Sequence, residues 1–147
     1  LNPQVTFDKS RKHDLTALAR LLSECELPVE DLHQDRVEFL VARDGNQIIG
    51  CIGLERYGNH GLLRSFAVQP ESRDSGVGTQ LLEYYLKQCG ATGIEQLHLL
   101  TTTAGDYFLK KGFKISRRDQ APESIRSTSE FSELCPSSST YMTIDLH

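Results

Sequence analysis

FAVQPESRDSGVGTQLL, residues 66–82, contains the turn on which the reading of the whole chain depends. Apolar residues alternate up to Val68. From Val77 onward Leu81, Leu82, Tyr85, Leu86 and Cys89 recur at helical spacing, so a strand passes into an amphipathic helix through a Gly-rich turn. The first N–H groups of a helix have no carbonyl of that helix to reach, and they carry the positive end of its dipole, roughly half an elementary charge. Such a start holds anions. Gly76 and Gly78 let a ligand oxygen approach the main chain and take positive φ at little cost, while Arg73 adds a full charge. A diphosphate would meet donors along Arg73, Asp74, Ser75, Gly76, Val77, Gly78 and Thr79. Taken alone, Gly-x-Gly reads equally well as an ordinary strand-to-helix turn.

Val68, Pro70, Arg73, Gly76, Gly78, Leu81 and Leu82 stand in the order of a known pyrophosphate-binding signature, and on them the chain resembles the GCN5-related N-acetyltransferases. The resemblance implies an α/β domain of three layers, a mixed central sheet flanked by helices, with acetyl-CoA as co-substrate. In that fold the strand before the turn and the strand after its helix splay apart, and the pantetheine arm enters the gap. The backbone of Phe66, Ala67 and Val68 would bond to it as another strand would. This chain departs from the pattern at Asp74, where the family usually has Gly directly after the Arg. The Asp74 side chain must point away from the phosphates or bind a donor of the turn itself.

A length of 147 residues suits one domain, residues 1–147. The net charge of -4 and the absence of a Lys/Arg run argue against a nucleic-acid partner. No apolar run approaches the roughly 18 residues that span a bilayer, and LNPQVTFDKSRKHD lacks a signal-peptide core, so a cytoplasmic protein without a membrane partner is expected. Cys25, Cys51, Cys89 and Cys135 are far apart and form no Cys-x-x-Cys pair. Reduced thiols and no metal follow.

Before the turn, a short extended piece at 5–7 precedes a helix starting at His13 or Asp14 and broken by Pro28, and a short second helix is expected over 29–32. Strands are expected over 39–43, 47–57 and 62–69, with turns at 44–46 and 58–61, as an antiparallel meander. The helix after the Gly-rich turn is expected to stop at Gly90. A strand over 96–101, a helix over 104–111 closed by Gly112 and a strand over 113–116 follow. Residues 119–140 read as irregular with a short helix near 123–128, and 141–146 as a last strand.

Acetyl transfer from a thioester to an amine needs a neutral amine, so a base is required. Glu55 is the choice: alternation over 47–57 puts it on one strand face with Ile49, Cys51 and Gly53. A solvent-facing Glu at a strand end is the other reading. Arg64, among Leu62, Phe66 and Val68, calls for an anion. A substrate carboxylate and a cross-strand pair with Glu55 both answer that need. Ser65 faces the other way, toward whichever ligand lies there. Thr101, Thr102 and Thr103 suit polar contacts at a strand end, Thr101 to the acceptor and Thr103 to the cofactor; capping of the next helix by Thr102 or Thr103 is the commoner role of such residues. Phe108 falls in the family's second cofactor motif, where many members have a Tyr whose hydroxyl protonates the thiolate.

GLERYGNHGLLRSFAV (53–68), LHLLTTTAGDYFLKKGF (97–113), APESI (121–125) and EFSELCPSSSTYM (130–142) resemble the arsenic-resistance N-acetyltransferase branch and, more distantly, the acetyltransferase domain of N-acetylglutamate synthase. That resemblance implies a small amine or amino-acid acceptor bearing a carboxylate. Arg117, Arg118 and Arg126 read as solvated, and arsenite capture by Cys51 and Cys135 is not supported by their spacing. A homodimer follows from family habit alone. A non-catalytic acyl-CoA-binding module, having kept the turn and lost its acid, stands as the alternative to an enzyme.

Overall fold

The computed structural model describes residues 4–29, 37–128, 131 and 139–146. Past Val29, the short helix expected over 29–32 lies outside them, as does Cys135. In chain order the elements are β1 (Val5–Lys9), α1 (Leu15–Glu24), β2 (Val37–Asp44), β3 (Gln47–Tyr57), β4 (His60–Val68), α2 (Val77–Ala91), β5 (Gln96–Thr101), α3 (Gly105–Lys110), β6 (Lys114–Ile115), α4 (Glu123–Arg126) and β7 (Thr140–Asp145). Single 3-10 turns occupy Lys12–Asp14, Pro70–Ser72 and Arg118–Gln120. The strands form a seven-stranded sheet in the order β1-β2-β3-β4-β5-β7-β6. β1, β2 and β3 pair antiparallel, β4 and β5 run parallel, and β7 pairs antiparallel with both β5 and β6. The mixed α/β sheet is the expected fold class.

Element ends differ from the sequence reading for identifiable reasons. The β3–β4 loop is only Gly58 and Asn59, with Gly58 at φ +66, so β4 starts at His60 rather than at 62. Gly90 does not stop α2. The left-handed residue is Gly93, and Ile94 N–H reaches back to Cys89 O. The same six-residue closure ends α1, with Glu26 at φ 59 and Leu27 N–H on Leu22 O, before Pro28 has any part in it. It also ends α3, at Gly112.

The chain divides into two compact units, Leu1–Glu55 with Ser65–Gln88 and Arg56–Arg64 with Cys89–His147. In the first, Leu18, Leu21 and Leu22 of α1 pack with Phe39, Val41, Ile48, Cys51 and Ala67 from the strands. A buried ionic corner in it joins Arg43 to Asp14 through two bonds, of 3.0 and 2.7 Å, and to Asp8 at 2.9 Å. In the second, Leu62, Ala121, Ile125 and Tyr141 form a core cluster that Tyr57, Leu100 and Phe131 border. No helix among the described residues is long and apolar enough to cross a membrane.

Candidate functional site

Local bonds shape the turn after β4. Gln69 N–H donates to Ile49 O at 2.8 Å, and Ser72 N–H closes a 3-10 turn onto Gln69 O at 2.9 Å. Arg73 Nε donates to Val68 O at 3.1 Å and Nη2 to Cys25 Sγ at 3.4 Å. Both partners are neutral, and Arg73 forms no ion pair among the described residues. Ser75 Oγ donates to Ser72 O, which holds the loop in shape. Arg73, Asp74, Ser75 and Gly76 are all exposed.

Asp74 sits at φ +69 and Gly76 at φ +88. Positive φ explains the usual Gly at the Asp74 position, and Asp is one of the few L residues that tolerates it. Backbones of this kind turn successive N–H groups toward one concavity. The first bond of α2 runs from Gln80 N–H to Gly76 O at 3.1 Å, which leaves the amides of Val77 and Gly78 at the open end of the helix. The two glycines have separate reasons. A Cβ on Gly76 would meet nothing within 4 Å, so its need is conformational. A Cβ on Gly78 would lie 3.3 Å from Val68 Cγ2 and 3.9 Å from Phe66 Cζ, so Gly78 lets α2 begin hard against β4. Thr79 follows in the first turn, half-buried. The residues present therefore suit a diphosphate: an uncompensated guanidinium, an open helix start and an exposed loop.

Glu55, opposite Val37 near the end of β3, is 5 % exposed, so the solvent-facing reading does not hold. Every residue from Ile48 to Glu55 is buried, on both strand faces. Alternation alone therefore did not mark an inward side. In β4, Ser65 takes φ 54 within the strand, and Cys51 Sγ–H donates to its carbonyl at 3.4 Å. This kink interrupts the two-residue alternation that was expected to run through Arg64 and Phe66. Tyr85 Oη donates to Gly53 O at 2.9 Å, fixing α2 to β3 two residues before Glu55. Burial pushes the Cys51 thiol up, so it holds its proton and is no nucleophile.

These residues belong to the first unit, with Phe66, Ala67 and Val68; Arg64, Thr101, Thr103 and Phe108 belong to the second. Arg64 is 2 % exposed. Thr101 Oγ1 accepts Ala104 N–H at 3.0 Å in the loop before α3, whose N-cap residue Ala104 makes no side-chain cap, and the Thr101 hydroxyl keeps a proton to donate. Thr103 is exposed. Phe108 is buried edge-on to Tyr107 and Phe113, with ring centroids at 5.4 and 5.3 Å.

The acetyltransferase (GNAT) domain profile matches residues 35–115, the span from β2 to β6 that carries this turn. The chain belongs to the GNAT acetyltransferase family. Among its relatives, the amino-acid acetyltransferase of Neisseria meningitidis serogroup A is 27% identical over 131 residues, 83% of this chain and 30% of that protein. The one from Pseudomonas syringae pv. tomato is 34% identical over 104 residues, 69% of this chain and 24% of that protein. The chain thus spans under a third of the length of these relatives. Its fold matches N-acetylglutamate synthase from Neisseria gonorrhoeae complexed with coenzyme A and N-acetyl-glutamate, with TM-score 0.82, 24% identity, and coverage of 97% of this chain and 35% of that one. Tetrahymena GCN5 matches with TM-score 0.79 and 21% identity over 97% of this chain and 96% of that one. In this GNAT chain sequence reasoning missed the tether from Arg73 to Cys25, which joins residues 48 apart. It also missed Gly50, where a Cβ would lie 3.3 Å from Ala67 O. Neither leaves a local signal.

Proposed function

We propose that this chain is an acetyl-CoA-dependent N-acetyltransferase acting on the amine of a small amino-acid-like acceptor, by direct transfer in a ternary complex. The observation that supports it best is the exposed turn in which Arg73, its charge uncompensated, stands beside the open start of α2. Arg73, Asp74, Ser75, Gly76, Val77, Gly78 and Thr79 would hold the diphosphate, and the main chain of Phe66, Ala67 and Val68 the pantetheine arm. Thr103 and Phe108 complete the cofactor contacts. Acetyl-CoA supplies an activated thioester; the chain supplies position and proton transfer. Glu55 takes the proton an ammonium acceptor must lose before it can attack. Arg64 binds the acceptor's carboxylate, with Ser65 and Thr101 as hydroxyl contacts.

The quoted stretches support placement in the arsenic-resistance branch, and the relatives named amino-acid acetyltransferase support an amino-acid acceptor. A single domain over 1–147, a cytoplasmic location and a homodimer belong to the same reading. Thiol release from acetyl-CoA, followed over a panel of amino acids that includes an arsenic-bearing one, tests the activity. Glu55→Gln and Arg64→Ala are each expected to lower turnover at least about tenfold, a barrier change near 1.4 kcal/mol. Coenzyme A binding without acceptor-dependent thiol release would mark a binding module instead.

A further inference from the structure

Arg73 is held by two neutral groups, and the edge of the guanidinium that they occupy decides what it can still bind. Nε–H donates to Val68 O at 3.1 Å and Nη2–H to Cys25 Sγ at 3.4 Å. Cys25 Sγ–H in turn donates to Val68 O at 3.6 Å, so the three residues close a triangle within the first unit.

Both acceptors are fixed points. Val68 ends β4, and the amide that follows it, Gln69 N–H, donates to Ile49 O at 2.8 Å. A trans peptide points its N–H and its carbonyl in opposite directions, so the Val68 carbonyl is turned away from β3. Cys25 is the C-cap of α1: its N–H donates to Leu21 O and Leu22 O, both at 3.1 Å, and Leu27 N–H closes onto Leu22 O at 2.9 Å. The half-buried Cys25 side chain packs against the core cluster that contains Leu22, Cys51 and Ala67. Its sulfur is therefore anchored to the core, not to the turn it braces.

A guanidinium offers a side fork, Nε–H with one Nη2–H, and an end fork, one Nη1–H with the other Nη2–H. Val68 O and Cys25 Sγ take the side fork of Arg73, and among the described residues its end fork stays open. Arg43, in the same unit, shows what an end fork accepts: its Nη1 and Nη2 hold the two oxygens of Asp14 at 3.0 and 2.7 Å. Two oxygens of a phosphate suit the same geometry. A thiol is the brace that keeps this fork charged. Sulfur is a weak, neutral acceptor, enough to select one rotamer of a long side chain and too weak to cancel its charge. A carboxylate at position 25 would instead take Arg73 as Asp14 takes Arg43.

We propose that Cys25 is a positioning residue for the cofactor: with Val68 O, its neutral sulfur fixes the side fork of Arg73, so that the end fork is presented to the diphosphate with its charge intact. This rests on the acetyl-CoA reading above and deepens it. Cys25 acts only through Arg73 and touches no reacting atom.

Titration calorimetry with coenzyme A tests the proposal on the whole chain and needs no acceptor. Cys25→Ala, which removes the brace, is expected to weaken binding about three- to tenfold, and Cys25→Ser, which restores a neutral acceptor, to stay within about twofold of the parent. In an Arg73→Ala background the same Cys25→Ala change should cost less than about 1.5-fold, because the group it positions is gone. Cys25→Asp should bind as weakly as Arg73→Ala and lose most of the parent's salt dependence. An equal loss from Cys25→Ala with and without Arg73 would overturn the proposal in favour of packing alone, and so would a Cys25→Ala affinity within about 1.5-fold of the parent. A Cys25→Asp affinity within about twofold of the parent would overturn the part given to a neutral sulfur. The Ala and Ser variants decide the brace even where Cys25→Asp does not fold. A parent that binds no coenzyme A sinks the cofactor reading itself, and the brace with it. A parent that binds, with Cys25→Ala acting as a packing variant, sinks the brace alone.

Discussion

Arg43 and Arg73 lie in the same compact unit and differ in what surrounds the charge. Arg43 is 9 % exposed and meets two carboxylates, bidentate to Asp14 and single to Asp8. Its charge is cancelled within the fold. Arg73 is exposed and, among the described residues, donates only to a carbonyl and a thiol. Its side chain is fixed in place, yet its field is left for something outside the chain. A buried arginine with its counter-ions holds β1 and β2 to the start of α1; an oriented arginine without them, beside a helix N-terminus, attracts an anion. The two substitutions should therefore separate stability from binding.

The largest effect is expected at Arg43. Arg43→Met leaves Asp14, with 6 % of its side chain exposed, without its buried counter-ion, held by the Arg11 N–H at 2.7 Å and beside His13 at 3.6 Å, and should cost about 3–5 kcal/mol of unfolding free energy in urea. The same corner confers acid sensitivity. Hydrogen bonds from the Arg43 guanidinium hold the Asp14 carboxyl at about 2, below its ordinary 3.8. A depressed acid contributes fully above its unfolded pKa and loses its contribution as pH falls through the folded value. About 2 kcal/mol should disappear between roughly pH 4 and pH 2, and Asp14→Asn should flatten that part of the profile. A loss under about 1 kcal/mol for Arg43→Met would make the corner a surface pair and end the contrast.

Arg73→Ala should do the reverse. Coenzyme A affinity, measured by titration calorimetry, is expected to fall about 10- to 30-fold, or about 1.4–2 kcal/mol, while the urea midpoint barely moves. An unchanged affinity with a lowered midpoint would show that the tether to Val68 and Cys25 is Arg73's whole role.

The contrast also explains which features are legible in the sequence. The Arg73 turn was legible because its requirements are local. A strand ending at Val68, two glycines, a charge and a helix face fall within residues 66–82, and each leaves a residue type behind. The meander was legible for the same reason, through Gly45 and Gly58. The Arg43 corner joins residues 29 and 35 apart, so the sequence shows three charges with nothing to relate them. Glu55 was an intermediate case. Its strand was clear, but burial of both faces of β3 removed the alternation that would have given its direction. Gly90 misled because glycine permits a left-handed stop without imposing one, and Gly93, three residues on, served as the stop.

The smallest expected effect sharpens the comparison at a single neighbour. Asp74 follows Arg73, is exposed, and sits at φ +69, a conformation that costs an L residue something and glycine nothing. Asp74→Gly relieves that strain, but it also gives the unfolded chain more freedom, and the two changes oppose each other. Net stability should therefore move by under about 0.5 kcal/mol. Binding has no such cancellation. The substitution removes a negative charge from the turn that presents Arg73, in water and therefore screened, so the gain for a diphosphate should be about two- to fivefold in coenzyme A affinity, shrinking as salt is raised. A loss of affinity would mean that the carboxylate is needed to organise the loop's own donors. Arg73 would then owe its orientation to a charge beside it, and it would resemble Arg43 more than its exposure suggests.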